Sequence, residues 1–338
     1  MINVAQVGVG AWGKNHLRTF AGLQDCNLSI CCDSNLDILS MIKNQYSNKI
    51  KTTLKYEEIL NDKTLDAIVI ATPAYTHADL ALKALDAGKH VFVEKPIALN
   101  INDGKKLVNL AKKNNKILMV GHLLLFNPAV IKIKEYIDQG IIGDVSYIYS
   151  TRVNLGRIRN EENALWSLTS HDISVALFLL FDYPIEVIAC GASFLRKDIE
   201  DVVFVTLKFK KNILVHIHAS WLDPHKIRKF TVVGSKKMVV FDDMEPSEKI
   251  RLFDKGVDRK VDYQTYAEYL ALRSGDINIP KINMQEPLLL ECRHFIDCIK
   301  DNIQPLTNGE NALKILSVLE AAQQSLNKNG KVVKINEK

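Results

Sequence analysis

Hydrophobic positions in the first 121 residues alternate between two spacings. Short, largely apolar runs bounded by Gly, Asp, Asn or Lys predict strands covered on both faces. Longer stretches between them, such as residues 78–88, have the spacing of helices. Strands that alternate with helices predict a parallel sheet joined by right-handed crossovers. The predicted strands are residues 2–7, 28–32, 67–71, 90–93 and 117–120.

The pattern changes after about residue 121. Closely spaced apolar runs, separated by turn-like segments such as 210–212, predict a large, mainly antiparallel sheet. Consecutive apolar residues at 202–205 and 213–215 indicate that both faces are covered, one by helices and the other by a second subunit. We therefore predict an α/β protein of two domains, 1–121 and 122–338. The predicted strands are 185–194, 201–209, 213–220, 228–233 and 237–242, and the predicted helices lie near 128–138, 172–180, 286–300 and 310–326.

Composition narrows the class of protein. With 338 residues, of which 47% are hydrophobic, the chain can bury a large core. The formal charge of +5 is spread along the sequence, which favours a small anionic ligand over nucleic acid. Neither a bilayer-spanning apolar run nor a signal sequence is evident, so we expect a soluble, cytoplasmic protein without a membrane partner. Six cysteines without a C-x-x-C pair predict buried, reduced thiols.

A glycine-rich turn follows the first predicted strand. Residues 8–13 read G-x-G-x-x-G and open a helix from about residue 13 to 21. Backbone N–H groups and the helix dipole can therefore face a pyrophosphate at this turn. Asp33 lies 20 residues beyond Gly13, at the end of the next strand, where its carboxylate can bind ribose hydroxyls and repel a 2′-phosphate. The combination predicts a Rossmann domain, a doubly wound parallel sheet, that binds NAD.

Two further strand ends carry candidate ligand-binding residues. Glu94-Lys95-Pro96 ends a predicted strand, and ligands of open α/β sheets bind beyond the carboxyl ends of the strands. Pro96 restricts the backbone of Lys95 to extended geometry. Thr72-Pro73 ends the preceding strand and predicts a second ligand-facing turn, with a simple loop as the alternative.

These motifs together resemble the glucose-fructose oxidoreductase / inositol dehydrogenase / rhizopine catabolism family. The resemblance rests on the glycine-rich turn, Ala71-Thr72-Pro73, Glu94-Lys95-Pro96, Gly121-His122 before Phe126-Asn127-Pro128, and a histidine at 171, and it covers almost the whole chain. It implies a Rossmann domain followed by an α/β domain with a large open sheet, and oxidation or reduction of a secondary alcohol on a sugar or cyclitol.

The resemblance also implies residue roles. The catalytic lysine and histidine of the family correspond to Lys95 and His171. The carboxylate common four residues before that histidine is replaced by Ser167, and Asp172 cannot substitute for it because neighbouring helical residues point about 100° apart. Candidate cofactor-binding residues are Gly8, Gly10, Ala11, Trp12, Gly13, Asp33, Thr72, Pro73, His77, Glu94 and Lys95. Candidate substrate-binding residues are Lys95, His122, Asn127, Arg152, Arg157, Arg159 and His171.

The segment from Tyr149 to Asp172 indicates a narrower substrate class. It resembles UDP-N-acetylglucosamine 3-dehydrogenases, and guanidinium groups can chelate the phosphate oxygens of a diphosphate-linked sugar. The alternative is that these arginines pair with Glu161 and Glu162 on a solvated loop. A free polyol such as an inositol is the second candidate substrate, and a non-catalytic NAD-binding regulator is the third possibility.

The remaining expectations concern metal and assembly. His216 and His218 share one face of a strand, but no third ligand at a recognisable spacing accompanies them, so no metal is predicted. The doubly apolar strands and the resemblance favour a homodimer or homotetramer.

Overall fold

A computed structural model of the chain describes residues 1–47, 49–156, 158, 162–262 and 267–335. The chain divides into two compact units, one of Met1–Phe126 with Gln285–Leu316 and the other of Asn127–Met284 with Ser317–Lys338. The first unit thus includes residues from near the C-terminus that the predicted boundary after residue 121 assigns to the second domain. The functional division at that boundary stays a prediction.

The first unit contains a parallel sheet in the strand order β3-β2-β1-β4-β5-β6. Its strands are β1 (Ile2–Val7), β2 (Cys26–Cys32), β3 (Lys51–Thr53), β4 (Ala67–Ile70), β5 (His90–Glu94) and β6 (Leu118–Gly121). Its helices are α1 (Gly13–Ala21), α2 (Leu36–Gln45), α3 (Tyr56–Asn61), α4 (His77–Asp86), α5 (Ile101–Lys113) and α8 (Pro287–Asp301). Helix α8 follows most elements of the second unit in chain order. Every residue of β4 is buried, as expected for a central strand covered on both faces.

Asparagine residues cap the N-termini of two of these helices. The side chain of Asn35 accepts backbone N–H groups at the start of α2, and that of Asn100 does so at the start of α5. Such caps satisfy N–H groups that lack a partner in the first helical turn. The predicted Rossmann domain with its parallel sheet is confirmed.

The second unit contains a mixed sheet in the order β14-β13-β12-β11-β7-β10-β9-β8-β15. Its strands are β7 (Val145–Val153), β8 (Glu186–Ala192), β9 (Val202–Lys208), β10 (Leu214–Ser220), β11 (Ile227–Gly234), β12 (Met238–Asp242), β13 (Ile250–Asp262), β14 (Ala267–Asn278) and β15 (Val333–Lys334). Helices α6 (Pro128–Asp138) and α7 (Ser170–Leu180) precede most of the sheet, and α9 (Gly309–Asn327) lies near the end of the chain. Strands β7 and β10 pair in parallel, whereas the other neighbours in the sheet pair antiparallel.

The faces of this sheet differ in burial. Val203, Val205 and Leu207 of β9 are buried, whereas Phe204 between them is 43% exposed. One face of the sheet therefore forms the core of the unit, and the other face is exposed in the single chain. The chain itself covers only one of the two faces that were predicted to be covered. Cover of the open face by a second subunit stays a prediction.

The buried cysteines all lie in the first unit. Five cysteines are buried, whereas Cys190 is exposed, which corrects the expectation that all are buried. Burial raises the pKa of the Cys26 thiol to about 12, so that thiol stays protonated at neutral pH.

Candidate functional site

The glycines of the turn after β1 have three different steric roles. Gly8 has φ of +85°, a conformation that favours glycine. A Cβ on Gly13 would lie 2.3 Å from the carbonyl oxygen of Gly8, so only glycine lets α1 pack this closely. A Cβ on Gly10 would meet nothing within 4 Å, which leaves open space beside the backbone. The turn is therefore closed toward the sheet and open where a pyrophosphate would bind, and it fits NAD.

Two polar side chains fix this turn. Gln6, which is fully buried, donates from Nε2 to the carbonyl oxygens of Gly8 at 3.0 Å and Gly13 at 2.7 Å. The backbone N–H of Val9 donates to Oδ2 of Asp33 at 2.7 Å, and Oδ1 of Asp33 accepts from the backbone of Asn35 at 2.9 Å. The sequence prediction named Asp33 as a ribose ligand at the end of β2, and that contact stays a prediction. It missed Gln6, an amide side chain within an apolar strand.

The turn after β4 holds Thr72 and Pro73. The hydroxyl of Thr72 lies 2.6 Å from that of Thr76. The ring nitrogens of His77 lie 2.7 Å from the carbonyl oxygen of Pro96 and 2.9 Å from that of Thr72. His77 is 1% exposed, so it holds two strand-end turns of the first unit in place, and its predicted contact with the cofactor stays a prediction.

Lys95 follows β5 at the carboxyl end of the parallel sheet, and its side chain is partly exposed. The Lys95–Pro96 peptide bond is cis. Glu94, the residue before it, accepts the backbone N–H of Lys95 at Oε2 over 3.1 Å. Burial tends to raise the pKa of Glu94, but hydrogen bonds from His16 and Trp12 and the positive charge of Lys95 lower it overall. The lysine therefore lies beside a carboxylate that stays ionised.

His122 lies just past β6 in the same unit. Its side chain is 3% exposed, and burial lowers its pKa to about 4, with the nearby charges of Glu94 and Lys95 acting in opposite directions. At neutral pH the imidazole is therefore uncharged and can serve as a hydrogen-bond partner but not as a cation. Lys95 lies close enough for its charge to act on His122, and the contact of both residues with substrate stays a prediction.

The first unit also contains buried titratable residues that sequence reasoning missed. His16 of α1 lies with Nε2 2.6 Å from Oε1 of Glu94, and its Nδ1 is 3.7 Å from Sγ of Cys292 on α8. The carboxyl group of Glu291 is fully buried, and burial together with the charge of Glu94 raises its pKa well above the usual range. Their separation along the chain is too large for any local motif to reveal them.

His171 lies in the first turn of α7, in the second unit. A π-helical segment, Leu165–Thr169, leads directly into this helix, and such segments are frequent at functional sites. Ser167 belongs to that segment and is 6% exposed. The backbone carbonyl of His171 accepts the hydroxyl of Ser174 at 2.7 Å.

The carboxylate next to His171 has another partner. Asp172 accepts Nε of Arg152 at 2.7 Å and Nη2 at 3.2 Å, and the side chains are 3% and 11% exposed. Burial tends to lower the pKa of Arg152, but Asp172 and Asp243 raise it overall, so it is a fixed cation. Asp172 is therefore engaged by Arg152, and the expectation that it does not replace the carboxylate missing at Ser167 stays a prediction. Two of the guanidinium donors of Arg152 are already used, which limits its predicted contact with substrate.

The other predicted substrate residues of the second unit have different outcomes. Arg157 and Arg159 lie outside the described residues. The side chain of Asn127 accepts the backbone N–H of Ala129 at 2.9 Å and begins α6, so its oxygen has a structural role. Contact of these residues with a substrate stays a prediction.

His216 and His218 lie on β10 beside an aromatic ring. Phe204 stacks on His218 with ring centroids 4.5 Å apart, and Nδ1 of His216 lies 3.0 Å from the hydroxyl of Thr206. In the part of the chain that the structure describes, no cluster of three or more His, Cys, Asp or Glu residues could hold a metal ion. Across the same residues, no helix combines the length and apolar character needed to span a membrane.

The fold and the turn define an NAD-binding oxidoreductase of the Rossmann class. The family model "Oxidoreductase family, NAD-binding Rossmann fold" matches residues 2–122, and "GFO/IDH/MocA C-terminal domain" matches residues 130–240. The chain belongs to the GFO/IDH/MocA family.

Relatives in this family are named for several different activities. The chain is 26% identical to myo-inositol 2-dehydrogenase of Thermotoga maritima, with 96% of each chain covered. It is 27% identical to scyllo-inositol 2-dehydrogenase (NAD(+)) of Bacillus subtilis, covering 83% of this chain and 81% of the relative. The solved structure of UDP-N-acetylglucosamine 3-dehydrogenase from Acidithiobacillus ferrooxidans has a TM-score of 0.81 at 19% identity, with coverage of 97% and 98%, which shows a shared fold.

Proposed function

We propose that this chain is an NAD-dependent dehydrogenase that oxidises a secondary alcohol of a sugar or cyclitol to a ketone. The observation that carries the proposal is the position of Lys95. It extends from the carboxyl end of β5, the edge of a parallel sheet where ligands bind, in the same unit as the glycine-rich turn.

The reaction needs a hydride acceptor and a proton acceptor at one carbinol group. NAD, when bound, supplies the hydride acceptor. Lys95 donates a hydrogen bond to the substrate hydroxyl and stabilises the negative charge that develops on its oxygen. His171 removes the hydroxyl proton, and uncharged His122 offers a further polar contact to the substrate.

The finer proposal is that the substrate is UDP-N-acetylglucosamine or a close relative, oxidised at the C3 hydroxyl. The sequence from Tyr149 to Asp172 supports it, as does the fold shared with an enzyme of that name. Arg152, Arg157 and Arg159 are the proposed phosphate ligands. Because Arg152 already pairs with Asp172, the proposal of a phosphate-bearing substrate depends mainly on Arg157 and Arg159.

The second candidate substrate is an inositol. The names of two curated relatives, each covering more than four fifths of this chain, favour it. A cyclitol carries no phosphate, so its binding does not need the arginines.

A substrate panel separates these candidates. Purified protein with NAD is mixed with UDP-N-acetylglucosamine, other UDP-sugars, myo-inositol and scyllo-inositol, and NADH and the keto product are measured by absorbance and mass spectrometry. Replacing Arg157 and Arg159 by Ala should raise KM for a UDP-sugar by at least tenfold, about 1.4 kcal/mol, and leave KM for an inositol unchanged. No NADH with any compound of the panel would contradict the proposed function.

The last part of the proposal concerns the oligomeric state of the protein and its location in the cell. We propose a homodimer or homotetramer, because the open face of the second unit's sheet exposes apolar side chains: Tyr147, Tyr149, Phe204 and Leu214. Light scattering after size-exclusion chromatography tests it, and a monomeric mass at micromolar concentration would contradict it. The cytoplasmic location stays a prediction.

A further inference from the structure

The carboxylate of Glu94 collects hydrogen-bond donors from separate parts of the first unit. Its Oε1 accepts Nε1 of Trp12 at 2.7 Å and Nε2 of His16 at 2.6 Å. Its Oε2 accepts the backbone N–H of Lys95 at 3.1 Å. One side chain therefore joins the glycine-rich turn, which contains Trp12, to the backbone of the proposed catalytic lysine.

Little space surrounds this carboxylate. The Glu94 side chain is 13% exposed, and a Cβ added to Gly121 would lie 2.9 Å from its Oε1. A buried carboxylate needs hydrogen-bond donors to be stable, because the loss of a donor leaves part of its negative charge without a hydrogen bond from protein or water. The orientation of Glu94 is therefore sensitive to the position of Trp12.

The proton positions in this network follow from the chemistry of its members. An ionised carboxylate only accepts, so Nε2 of His16 carries the proton it shares with Glu94. Cys292, 3.7 Å from Nδ1 of His16, is fully buried, and burial together with Glu291 and Glu94 raises its pKa well above the usual range. Its S–H group can therefore donate to Nδ1 in the tautomer of His16 that carries its proton on Nε2.

The order cysteine, histidine, carboxylate resembles the arrangement of a nucleophile with its base. A nucleophilic cysteine must form a thiolate and reach solvent. Cys292 does neither, since its exposure is 0% and its thiol stays protonated. Cys292 on helix α8 therefore has a structural role. It holds His16 in place, and His16 in turn holds Oε1 of Glu94.

Trp12 is the member of the network that is open to solvent. Its side chain is 43% exposed, whereas His16 is buried. Trp12 also occupies the last variable position of the turn, next to Gly13. A ligand seated on the turn can therefore restrict the indole, while His16 is already held by its neighbours.

We propose that Trp12 and Glu94 are positioning residues that link occupancy of the glycine-rich turn to the backbone of Lys95. Binding of NAD to the turn orders the indole, the indole holds Oε1 of Glu94, and Oε2 holds the Lys95 N–H group. The inference rests on the proposed function, since it gives Lys95 its catalytic task.

Hydrogen–deuterium exchange of the full chain, with and without NAD, tests this link without needing a substrate. In the wild-type protein, NAD should slow exchange in the peptide that spans residues 90–97. Trp12→Phe keeps an aromatic ring but removes the N–H donor, and it should reduce that NAD-dependent slowing at least threefold. Trp166→Phe is the matched control, because it removes an indole donor that bonds Gln323 at 3.0 Å in the second unit, and it should leave the slowing unchanged.

Calorimetric titration with NAD is run on the same samples, so that loss of cofactor binding is not mistaken for loss of the link. Exchange and rates are then compared at NAD concentrations that saturate each protein. With an active substrate from the panel, kcat at saturating NAD should fall about tenfold in Trp12→Phe. Glu94→Gln, which has only one acceptor oxygen, should show the same pattern with a larger fall in kcat.

Three outcomes decide the inference. Weaker NAD-dependent slowing at residues 90–97 in Trp12→Phe, with NAD still bound, supports it. Equal slowing in Trp12→Phe and wild type overturns the link and leaves the proposed function intact. Failure of the wild-type protein to bind NAD overturns both.

Discussion

The cofactor turn and the segment around His171 both contain candidate site residues, but the sequence predicts the geometry of the turn better than that of the segment. In the turn, Gly8 has a positive φ, Gly13 packs against a backbone carbonyl, and Gly10 leaves open space beside the backbone. Around His171, the expected carboxylate is Ser167, and the nearby Asp172 is committed to Arg152. A site formed by one short stretch of backbone can be inferred from spacing, whereas a site formed by side chains of several elements depends on which partners meet in the fold.

The largest expected effect concerns the buried pair of the second unit. Arg152→Met leaves Asp172 buried without its partner and should lower the free energy of unfolding by about 3 to 5 kcal/mol. Arg228→Met is the matched control, because Arg228 lies opposite Arg152 in the sheet but pairs with Asp243 at 3.6 Å and is 42% exposed. Urea denaturation should show a loss below about 1 kcal/mol for the control. Similar losses of unfolding free energy in both variants would contradict the larger contribution assigned to the Arg152–Asp172 pair.

The next effect separates two glycines of the same turn. Gly13→Ala places a methyl group against a backbone carbonyl and should lower the free energy of unfolding by about 3 kcal/mol. Gly10→Ala meets no protein atom, so it should change stability by less than about 0.5 kcal/mol and act on NAD affinity instead. Thermal unfolding and calorimetric titration with NAD measure the two effects. Equal destabilisation by both substitutions would contradict the steric roles assigned here.

A smaller effect depends on pH. The pKa of His122 is lowered to about 4 in the folded protein, so the unfolded chain binds the proton first as the pH falls below the ordinary value near 6.5. Stability from this residue is thus fully present above that value and is lost as the pH falls toward 4, by about 2 kcal/mol between pH 7 and pH 5. Urea denaturation at both pH values should show that His122→Gln reduces this loss. His225→Gln, at an exposed histidine, should leave it unchanged.

If the two histidine variants have the same pH dependence, His122 is not the buried neutral group described here.

The smallest expected effect is at Asp33. Asp33→Asn removes a charged acceptor of the Val9 N–H group, and this carboxylate is also the proposed acceptor of the ribose hydroxyls. The dissociation constant for NAD should rise about tenfold, equivalent to about 1.4 kcal/mol. Asp37→Asn, in the first turn of α2, is the control with the same chemical change. An unchanged affinity in Asp33→Asn would remove this residue from the cofactor site.

The elements that sequence could predict are those with an apolar signal of their own. Strands β1, β4 and β5 are short buried runs, and the observed bounds lie close to the predicted ones. Strand β7 was missed because its sequence, VSYIYSTRV, alternates with polar residues, although it lies in the middle of the second sheet. The β13–β14 hairpin was also missed, since its stability comes from pairing with a neighbour and not from a continuous apolar run.

The same distinction applies to the candidate site. The positions of Lys95 and Asp33 at strand ends could be predicted because each closely follows a short apolar run, and Asp33 also lies 20 residues beyond Gly13. His16 and Glu94 meet across 78 positions of the chain, and Cys292 approaches His16 across 276. No local spacing encodes such contacts, so this network became visible only in the folded structure.

The central claim is that Lys95 takes part in the chemistry of an NAD-dependent dehydrogenase. The most direct measurement compares NADH formation by wild-type protein and Lys95→Met on the active compound of the panel, after calorimetry has shown equal NAD binding. The account predicts a fall in kcat of about 10²- to 10⁴-fold in Lys95→Met. Equal rates in the two proteins, with NAD bound to both, would contradict it and favour a protein that binds NAD without catalysing its reduction.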